Sequence, residues 1–221
     1  MNIYNGRVGI GTNTTKAALH VADSAVLFSG AVTLPALTTI NPPAQGPGTR
    51  MMWFPARGAF RSGYVDGDQW NRDNIGLLSF ASGYNTKANG VFSTSIGRFT
   101  TASNSIATSM GFGTVASGEV STSMGNGTEA SGAVATSMGG STIASGDYSL
   151  SAGEQTFAKA KGSFTAGLWN DNADNPSNTT PALTDRIFQI GNGTADNARS
   201  NAVTVLRNGN VGIGTTTPLA K

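Results

Sequence analysis

Small polar and larger apolar side chains alternate in short runs between residues 82 and 167, and the runs recur every fourteen residues. In one run, Ser121 and Ser123 alternate with Val120 and Met124. An alternation of period two is typical of β-strands, whose successive side chains point to opposite faces. Gly or Asn interrupts the pattern twice in each period, as expected for tight turns. The pattern therefore predicts two short strands and two turns per period, stacked as the coils of an all-β solenoid.

Glycine holds the most regular position of the repeat. It recurs as Gly83, Gly97, Gly111, Gly125, Gly139, Gly153 and Gly167. We assign these glycines to turns, because glycine enters left-handed backbone at no steric cost. A second position holds Gly90, Gly118, Gly132 and Gly146 but Asn104 in one period. Asn is the next residue best able to adopt a left-handed conformation, so both turns of each coil are predicted to need it.

The apolar members of the alternation form a ladder along the repeat. Its residues are Ile96, Ile106, Met110, Val120, Met124, Val134 and Met138. A coil of fourteen residues encloses little volume, so the small side chains are expected inside it and the ladder outside. An exposed apolar stripe of this length is normally an interface, which predicts copies of the chain packed around a common axis. The opposite assignment, with the ladder filling the coil, is the alternative.

The pattern Ala-Ser-Gly-x-φ-Ser-Thr-Ser-Met-Gly-x-x-Thr, with φ an apolar residue, occurs at residues 116–128. It resembles the head repeat of trimeric autotransporter adhesins, the family of the Yersinia adhesin. The resemblance covers residues 79–168 and implies a left-handed parallel β-roll that forms a homotrimer. It implies little about the ligand.

A second motif brackets the chain, as Asn-Gly-Arg-Val-Gly-Ile-Gly-Thr at 5–12 and Asn-Gly-Asn-Val-Gly-Ile-Gly-Thr at 208–215. Each copy is predicted to form a strand, a turn and a second short strand. The motif resembles linker elements of phage tail fibres, and 187–215 resembles segments that follow head repeats in such fibres and in Bacteroidetes surface proteins. We therefore expect a piece of a longer fibre. A dinucleotide site is not expected, because a third glycine and a following helix are missing.

The predicted organisation has four parts. Residues 1–30 form a β linker, 31–78 a Pro-rich connector and aromatic cap, 79–168 the β-roll head, and 169–221 a small β domain. The cap is inferred from the aromatic and arginine residues that concentrate at 51–78, because a solenoid end exposes strand edges that need cover. The alternative for this segment is a ligand-binding surface.

The composition limits the kinds of functional site that the chain can form. Charged residues make up 12% of the chain, cysteine is absent, and the formal net charge is +2. No Lys/Arg run suggests nucleic-acid binding and no apolar stretch is long enough to insert into a membrane. The single histidine, His20, lies in a predicted strand, and the Asp/Asn-rich segments 66–73 and 171–175 suit turns better than metal loops. We predict no cofactor, no metal and no catalytic residue.

The expected function is that of a non-enzymatic, extracellular fibre segment. As a homotrimer it would attach a phage or a contractile injection particle to a receptor or glycan on a target cell. The alternative is the head of a secreted bacterial adhesin, and a third hypothesis is a polysaccharide depolymerase on a fibre scaffold, with paired carboxylates contributed by different chains. The exposed candidates for ligand binding are Arg98, Phe99, Phe112, Glu129 and Glu154.

Overall fold

The structure, a computed structural model, describes residues 1–4, 6–23, 25–30 and 40–219. These residues form an all-β protein whose helical content is confined to two 3₁₀ turns, Pro55–Arg57 and Arg72–Asn74. The chain divides into two compact units, 1–33 and 34–221. The described part of the predicted connector and cap, residues 40–78, the head and the C-terminal domain thus share one unit. Residues 31–39 of the predicted connector lie outside the described residues.

The first unit is a three-stranded sheet built on the first copy of the bracketing motif. Strand β1 (Asn2–Tyr4) pairs antiparallel with β2 (Arg7–Ile10), and β2 pairs in parallel with β3 (Leu19–Val21). Strand β2 therefore has a partner on both sides. His20 lies on β3, where its Nδ1 accepts a hydrogen bond from the backbone amide of Lys16 at 3.4 Å.

The second unit contains two sheets. The long sheet has twelve strands, which in spatial order are β4 (Gly48–Phe54), β5 (Ala59–Val65), β6 (Phe80–Tyr84), β8 (Thr94–Arg98), β10 (Thr108–Phe112), β12 (Thr122–Asn126), β14 (Thr136–Gly140), β16 (Leu150–Glu154), β18 (Phe164–Leu168), β19 (Arg186–Asn192), β20 (Asn201–Leu206) and β21 (Val211–Ile213). The short sheet has six two-residue strands: β7 (Lys87–Ala88), β9 (Thr101–Ala102), β11 (Val115–Ala116), β13 (Glu129–Ala130), β15 (Ile143–Ala144) and β17 (Phe157–Ala158).

The chain alternates between the two sheets and so winds as a β-solenoid. From β5 to β19 the long-sheet neighbours are parallel, and Ser109 lies opposite Ser123, which lies opposite Ser137. The parallel stack ends in antiparallel pairs, β4 with β5 at one end and β19, β20 and β21 at the other. The hairpin that the Asn208–Gly209 pair predicts is present between β20 and β21.

The interior of the coil is built from small side chains. Ser123 is fully buried and its Oγ lies 2.7 Å from Thr128 Oγ1 while donating to the carbonyl oxygen of Thr128 at 2.9 Å. The same arrangement recurs in the neighbouring coils at Ser95–Thr100, Ser109–Thr114, Ser137–Thr142 and Ser151–Thr156. Alanine and further serines fill the rest of the interior, as at Ala116 and Ser121. Buried hydroxyl groups need partners, and in these five coils the Ser–Thr pair supplies them locally.

The positions of left-handed backbone differ from the prediction. Each coil has two left-handed corners, but most of them hold other residues than glycine. The first corner is at Asn85, Phe99, Gly113, Gly127, Ser141, Gln155 and Trp169, and the second is at Leu78, Phe92, Ile106, Val120, Val134, Tyr148 and Gly162. Neither Asn104 nor Gly118 has a positive φ, so the explanation given above for Asn104 is wrong.

The regular glycines lie inside strands rather than in turns. Their positions are Gly83, Gly97, Gly111, Gly125, Gly139, Gly153 and Gly167, each the fourth residue of a long-sheet strand. Gly125 has a φ of 122°, and a Cβ built there would lie 2.1 Å from the carbonyl oxygen of Gly139 in the next coil. Glycine is required here because adjacent backbones approach too closely for any side chain.

Buried side chains close both ends of the coil. At the first end, the Arg61 guanidinium donates to the carbonyl oxygens of Ser79 and Ala88, and Trp70 Nε1 donates to that of Thr86. Burial lowers the pKa of Arg61 to about 10. At the far end, the side chain of Asn170 accepts a hydrogen bond from the backbone amide of Phe157 at 2.8 Å.

Candidate functional site

The outward side of the long sheet carries two adjacent columns of side chains, here called the outer face. One column runs through Trp53, Phe60, Phe80, Thr94, Thr108, Thr122, Thr136, Leu150, Phe164, Phe188, Val205 and Val211. The other runs through Met51, Ser62, Ser82, Ile96, Met110, Met124, Met138, Ala152, Ala166, Ile190, Val203 and Ile213. None of these positions is charged, and all of them are partly or fully exposed in the single chain.

A third column borders the outer face at the second left-handed corner, two residues before the long-sheet strands. We call it the corner column, and it consists of Leu78, Phe92, Ile106, Val120, Val134 and Tyr148. Their exposed fractions range from 40% at Val120 to 62% at Tyr148. Ile106, Val120 and Val134 are β-branched residues with φ of 58–59°, a conformation that such side chains rarely adopt.

The residues predicted to form an interface divide between these columns. Ile96, Met110, Met124 and Met138 lie on the outer face, and Ile106, Val120 and Val134 lie in the corner column rather than in strands. The coil interior is occupied by Ser, Thr and Ala, so the alternative in which the ladder fills the coil does not hold.

An aromatic and arginine cluster lies at one end of the second unit. It consists of Tyr64, Tyr84, Arg98, Phe99 and Phe112. The rings of Tyr64 and Tyr84 stack with centroids 5.4 Å apart, and Phe99 makes edge contacts with Tyr84 at 5.1 Å and with Phe112 at 6.1 Å. The Arg98 guanidinium carbon lies 4.9–5.5 Å from the centroids of Tyr84, Phe99 and Phe112. Cation–π attraction of this kind holds the guanidinium among the rings.

Arg98 is exposed, and within the described residues its guanidinium forms no ion pair with a carboxylate. Asp66 borders the cluster, where it accepts hydrogen bonds from Asn85 Nδ2 at 2.8 Å and from the Tyr84 hydroxyl at 2.9 Å. These two bonds lower the pKa of Asp66, and the bond to Asp66 raises the pKa of Tyr84. The cluster thus presents a guanidinium whose charge is available to an anionic or polar ligand.

Three of the five predicted ligand-binding residues meet in this cluster, namely Arg98, Phe99 and Phe112. The other two do not. Glu129 is exposed on β13 of the short sheet, and Glu154 ends β16, three strands from Phe112, a separation of about 14 Å at normal strand spacing.

The sequence analysis did not predict that Tyr64 and Tyr84 belong to the cluster, or that Asp66 binds Tyr84 beside it. Tyr84 occupies the same place in its strand as Arg98 and Phe112, so the fourteen-residue spacing contained that signal. Tyr64 joins through the pairing of β5 with β6, which precedes the regular repeat.

The ligand-sized cavity of the C-terminal region has about 410 Å³ and is lined by Asp174, Asp185, Arg186 and residues 216–219, among others. Its charges are paired with one another. Arg186 contacts Asp171 and Asp174, and Arg207 lies 3.4 Å from Asp185. These pairs attach the loop after β18 to β19 and β20, a structural role.

In the part of the chain that the structure describes, no group of three or more His, Asp or Glu side chains is placed to hold a metal ion. None of the helices in that part is long and apolar enough to cross a membrane. No family model matches the sequence, and no curated protein matches it.

Proposed function

We propose that this chain is a non-enzymatic segment of a homotrimeric fibre that attaches to the surface of a target cell. The observation that carries the proposal is the outer face, which stays free of charge through all twelve strands of the long sheet. Three quarters of its positions are apolar and the rest are Ser or Thr, and soluble monomers rarely expose an uncharged, largely apolar surface of this extent. A self-associating fibre would bury it.

The dimensions of the face suit a stable interface. Twelve strands span about 53 Å at normal spacing. The outer face is about 10 Å wide along them, and the corner column adds about 5 Å beside six of the strands, which gives on the order of 700 Å². That is close to the roughly 800 Å² that each partner contributes to an interface of standard size. Burial would also account for the β-branched residues at left-handed corners, because packing in an assembly offsets backbone strain.

The finer features of the proposal come from the resemblance to trimeric adhesin heads. They are the fourteen-residue unit, the left-handed β-roll and the number of three subunits. A closed ring of identical rods buries the same face on every copy, which suits a fibre with one continuous axis. A phage tail fibre or the fibre of a contractile injection particle is the favoured setting, outside the cell that made it.

The aromatic and arginine cluster is the proposed contact with the target receptor or glycan. Aromatic rings and arginine are the side chains most often found at the energetic centre of binding surfaces. The cluster is also confined to one end of the solenoid. At the positions equivalent to Phe99 and Phe112, the next coils carry only Gly127 and Asn126, and then Ser141 and Gly140.

Light scattering coupled to size exclusion tests the assembly. We expect a mass three times that of the 22.5 kDa chain. Met124→Asp should dissociate the trimer, because it places three unpaired carboxylates in a buried apolar interface. Ser131→Asp is the matched control, since it adds the same charge at an exposed position beside the short sheet. A wild-type chain that elutes as a monomer, or equal effects of both substitutions, would contradict the proposal.

A further inference from the structure

The two copies of the bracketing motif share their local structure. In each copy an antiparallel hairpin leads into the motif strand, β1 into β2 and β20 into β21. A Cβ at Gly9 would lie 2.6 Å from the carbonyl oxygen of Thr12, and one at Gly212 would lie 2.7 Å from that of Thr215. The motif therefore folds in the same way twice.

The turns after the two strands also have the same hydrogen bonds and backbone conformation. The backbone amide of Thr14 donates to Thr12 Oγ1 at 3.2 Å, and that of Thr217 donates to Thr215 Oγ1 at 3.3 Å. Gly11 and Gly214 occupy the same place before these turns and have φ of 74° and 66°. The correspondence extends from the hairpin through the turn, with a constant offset of 203 residues between Val8 and Val211.

The copies differ in what lies beside the motif strand. Strand β2 is the centre of its sheet, because β3 pairs with its second edge in parallel, whereas no strand of the described residues pairs with the second edge of β21. The amide of Ala22, just after β3, donates to the carbonyl oxygen of Ile10 at 2.9 Å. A Cβ at Gly11 would lie 2.3 Å from the carbonyl oxygen of Ala22, while one at Gly214 would meet nothing within 4 Å. Correspondingly, Ile10 is 40% exposed and Ile213 is 77% exposed.

We propose that the open edge of β21 is a docking site for a parallel strand with the sequence pattern of Leu19–Ala22. The first unit shows the occupant that this motif accepts, which is a short extended segment of alternating Leu-His-Val whose following carbonyl oxygen lies over the second motif glycine. An unpaired strand edge with exposed apolar side chains is a template for strand addition. Gly214 leaves the space that the incoming backbone would fill.

A chain extended by Leu-His-Val-Ala directly after Lys221 tests the proposal. The offset between the copies places the added leucine at the position equivalent to Leu19. The amide of Ile213 should then exchange its hydrogen about tenfold more slowly or more, because it gains a backbone partner. Extension by Leu-Pro-Val-Pro is the control, since it has similar apolar character but lacks the amides that would donate to β21. Unchanged exchange, or equal slowing by both extensions, would overturn the proposal.

Gly214→Ala checks the register of docking. At a φ of 66° the substitution strains the backbone with or without the extension, so that cost is common to both chains. Only in the extended chain would the added Cβ also collide with the incoming carbonyl oxygen, as the geometry at Gly11 shows. We expect Gly214→Ala to remove the protection gained by the extension. Protection that survives the substitution would rule out docking in this register.

Discussion

At the scale of single residues, the coil has two separate requirements. Neighbouring coils must approach closely, which needs glycine, and the chain must turn at corners, which needs left-handed backbone. At Gly125 the requirement is space, because a Cβ would lie 2.1 Å from the carbonyl oxygen of the next coil. At Val120 the requirement is a corner, and a β-branched side chain adopts a φ of 58° to make it. A left-handed conformation costs an ordinary residue roughly 1–2 kcal/mol, which is less than a collision between two backbones. Contact between coils therefore decides where glycine is indispensable.

Gly125→Ala and Gly127→Ala should separate these two requirements. Both glycines have positive φ, but a Cβ at Gly127 would meet only Ser141 Oγ, at 3.5 Å. We expect Gly125→Ala to lower the free energy of unfolding by about 3 kcal/mol or more, since the coils must move apart. Gly127→Ala should cost only about 1 kcal/mol. Urea unfolding monitored by circular dichroism measures both values. Equal losses would show that torsion and not spacing makes glycine necessary at Gly125.

The sequence indicated the need for left-handed backbone but not its location. Val120 and Val134 are β-branched, so their alternation with serine predicted strand where the structure has a turn. Local propensity favours that interpretation, and the geometry of a closed coil overrides it. The inward position of Ser123 was predictable, because a narrow coil has room only for small side chains.

At the scale of elements, the ends of the short sheet need partners that no further coil provides. Within the stack, the amide of each short strand donates to the carbonyl of the next, as Lys87 does to Thr100 and Glu129 to Thr142. The first coil therefore presents unpaired carbonyls and the last an unpaired amide. Trp70 donates to Thr86 at one end, and Asn170 accepts from Phe157 at the other. Sequence alone predicted an aromatic cap but gave no indication of Asn170, since a buried Asn in a polar loop carries no periodic signal.

Asn170→Ala should destabilise the end of the short sheet at Phe157. Asn170 is fully buried, and its loss leaves the amide of Phe157 without its acceptor. We expect the free energy of unfolding to fall by about 2–3 kcal/mol and the Phe157 amide to exchange faster. Asn178→Ala, at an exposed asparagine, is the control and should change stability by less than about 0.5 kcal/mol. An unchanged exchange rate at Phe157 would mean that another group caps the sheet.

At the scale of the whole molecule, the outer face extends further than the repeat that predicted it. The ladder from Ile96 to Met138 follows from the periodic sequence, but its continuation through Ile190, Val203 and Ile213 does not. Those strands follow the irregular residues 169–185, and their alignment with the ladder depends on pairing between β18 and β19. The face is thus a property of the assembled sheet. In the proposed trimer, the aromatic and arginine cluster occurs once in each subunit.

That repetition predicts how attachment depends on Arg98. In a trimer three clusters engage a surface together, so avidity can exceed the affinity of one cluster by about 10²–10⁴-fold. Arg98→Ala removes the charge from every cluster and should weaken binding to intact bacterial cells or arrayed surface polysaccharides at least about tenfold, the loss expected for one charge-assisted contact.

Glu129→Ala, on the short sheet, should bind as the wild type does. Met124→Asp should weaken binding more than Arg98→Ala, because single subunits lose avidity while keeping the cluster. Equal binding by wild type and Arg98→Ala would place the contact surface elsewhere on the fibre, and equal binding by wild type and Met124→Asp would show that attachment does not use three sites at once.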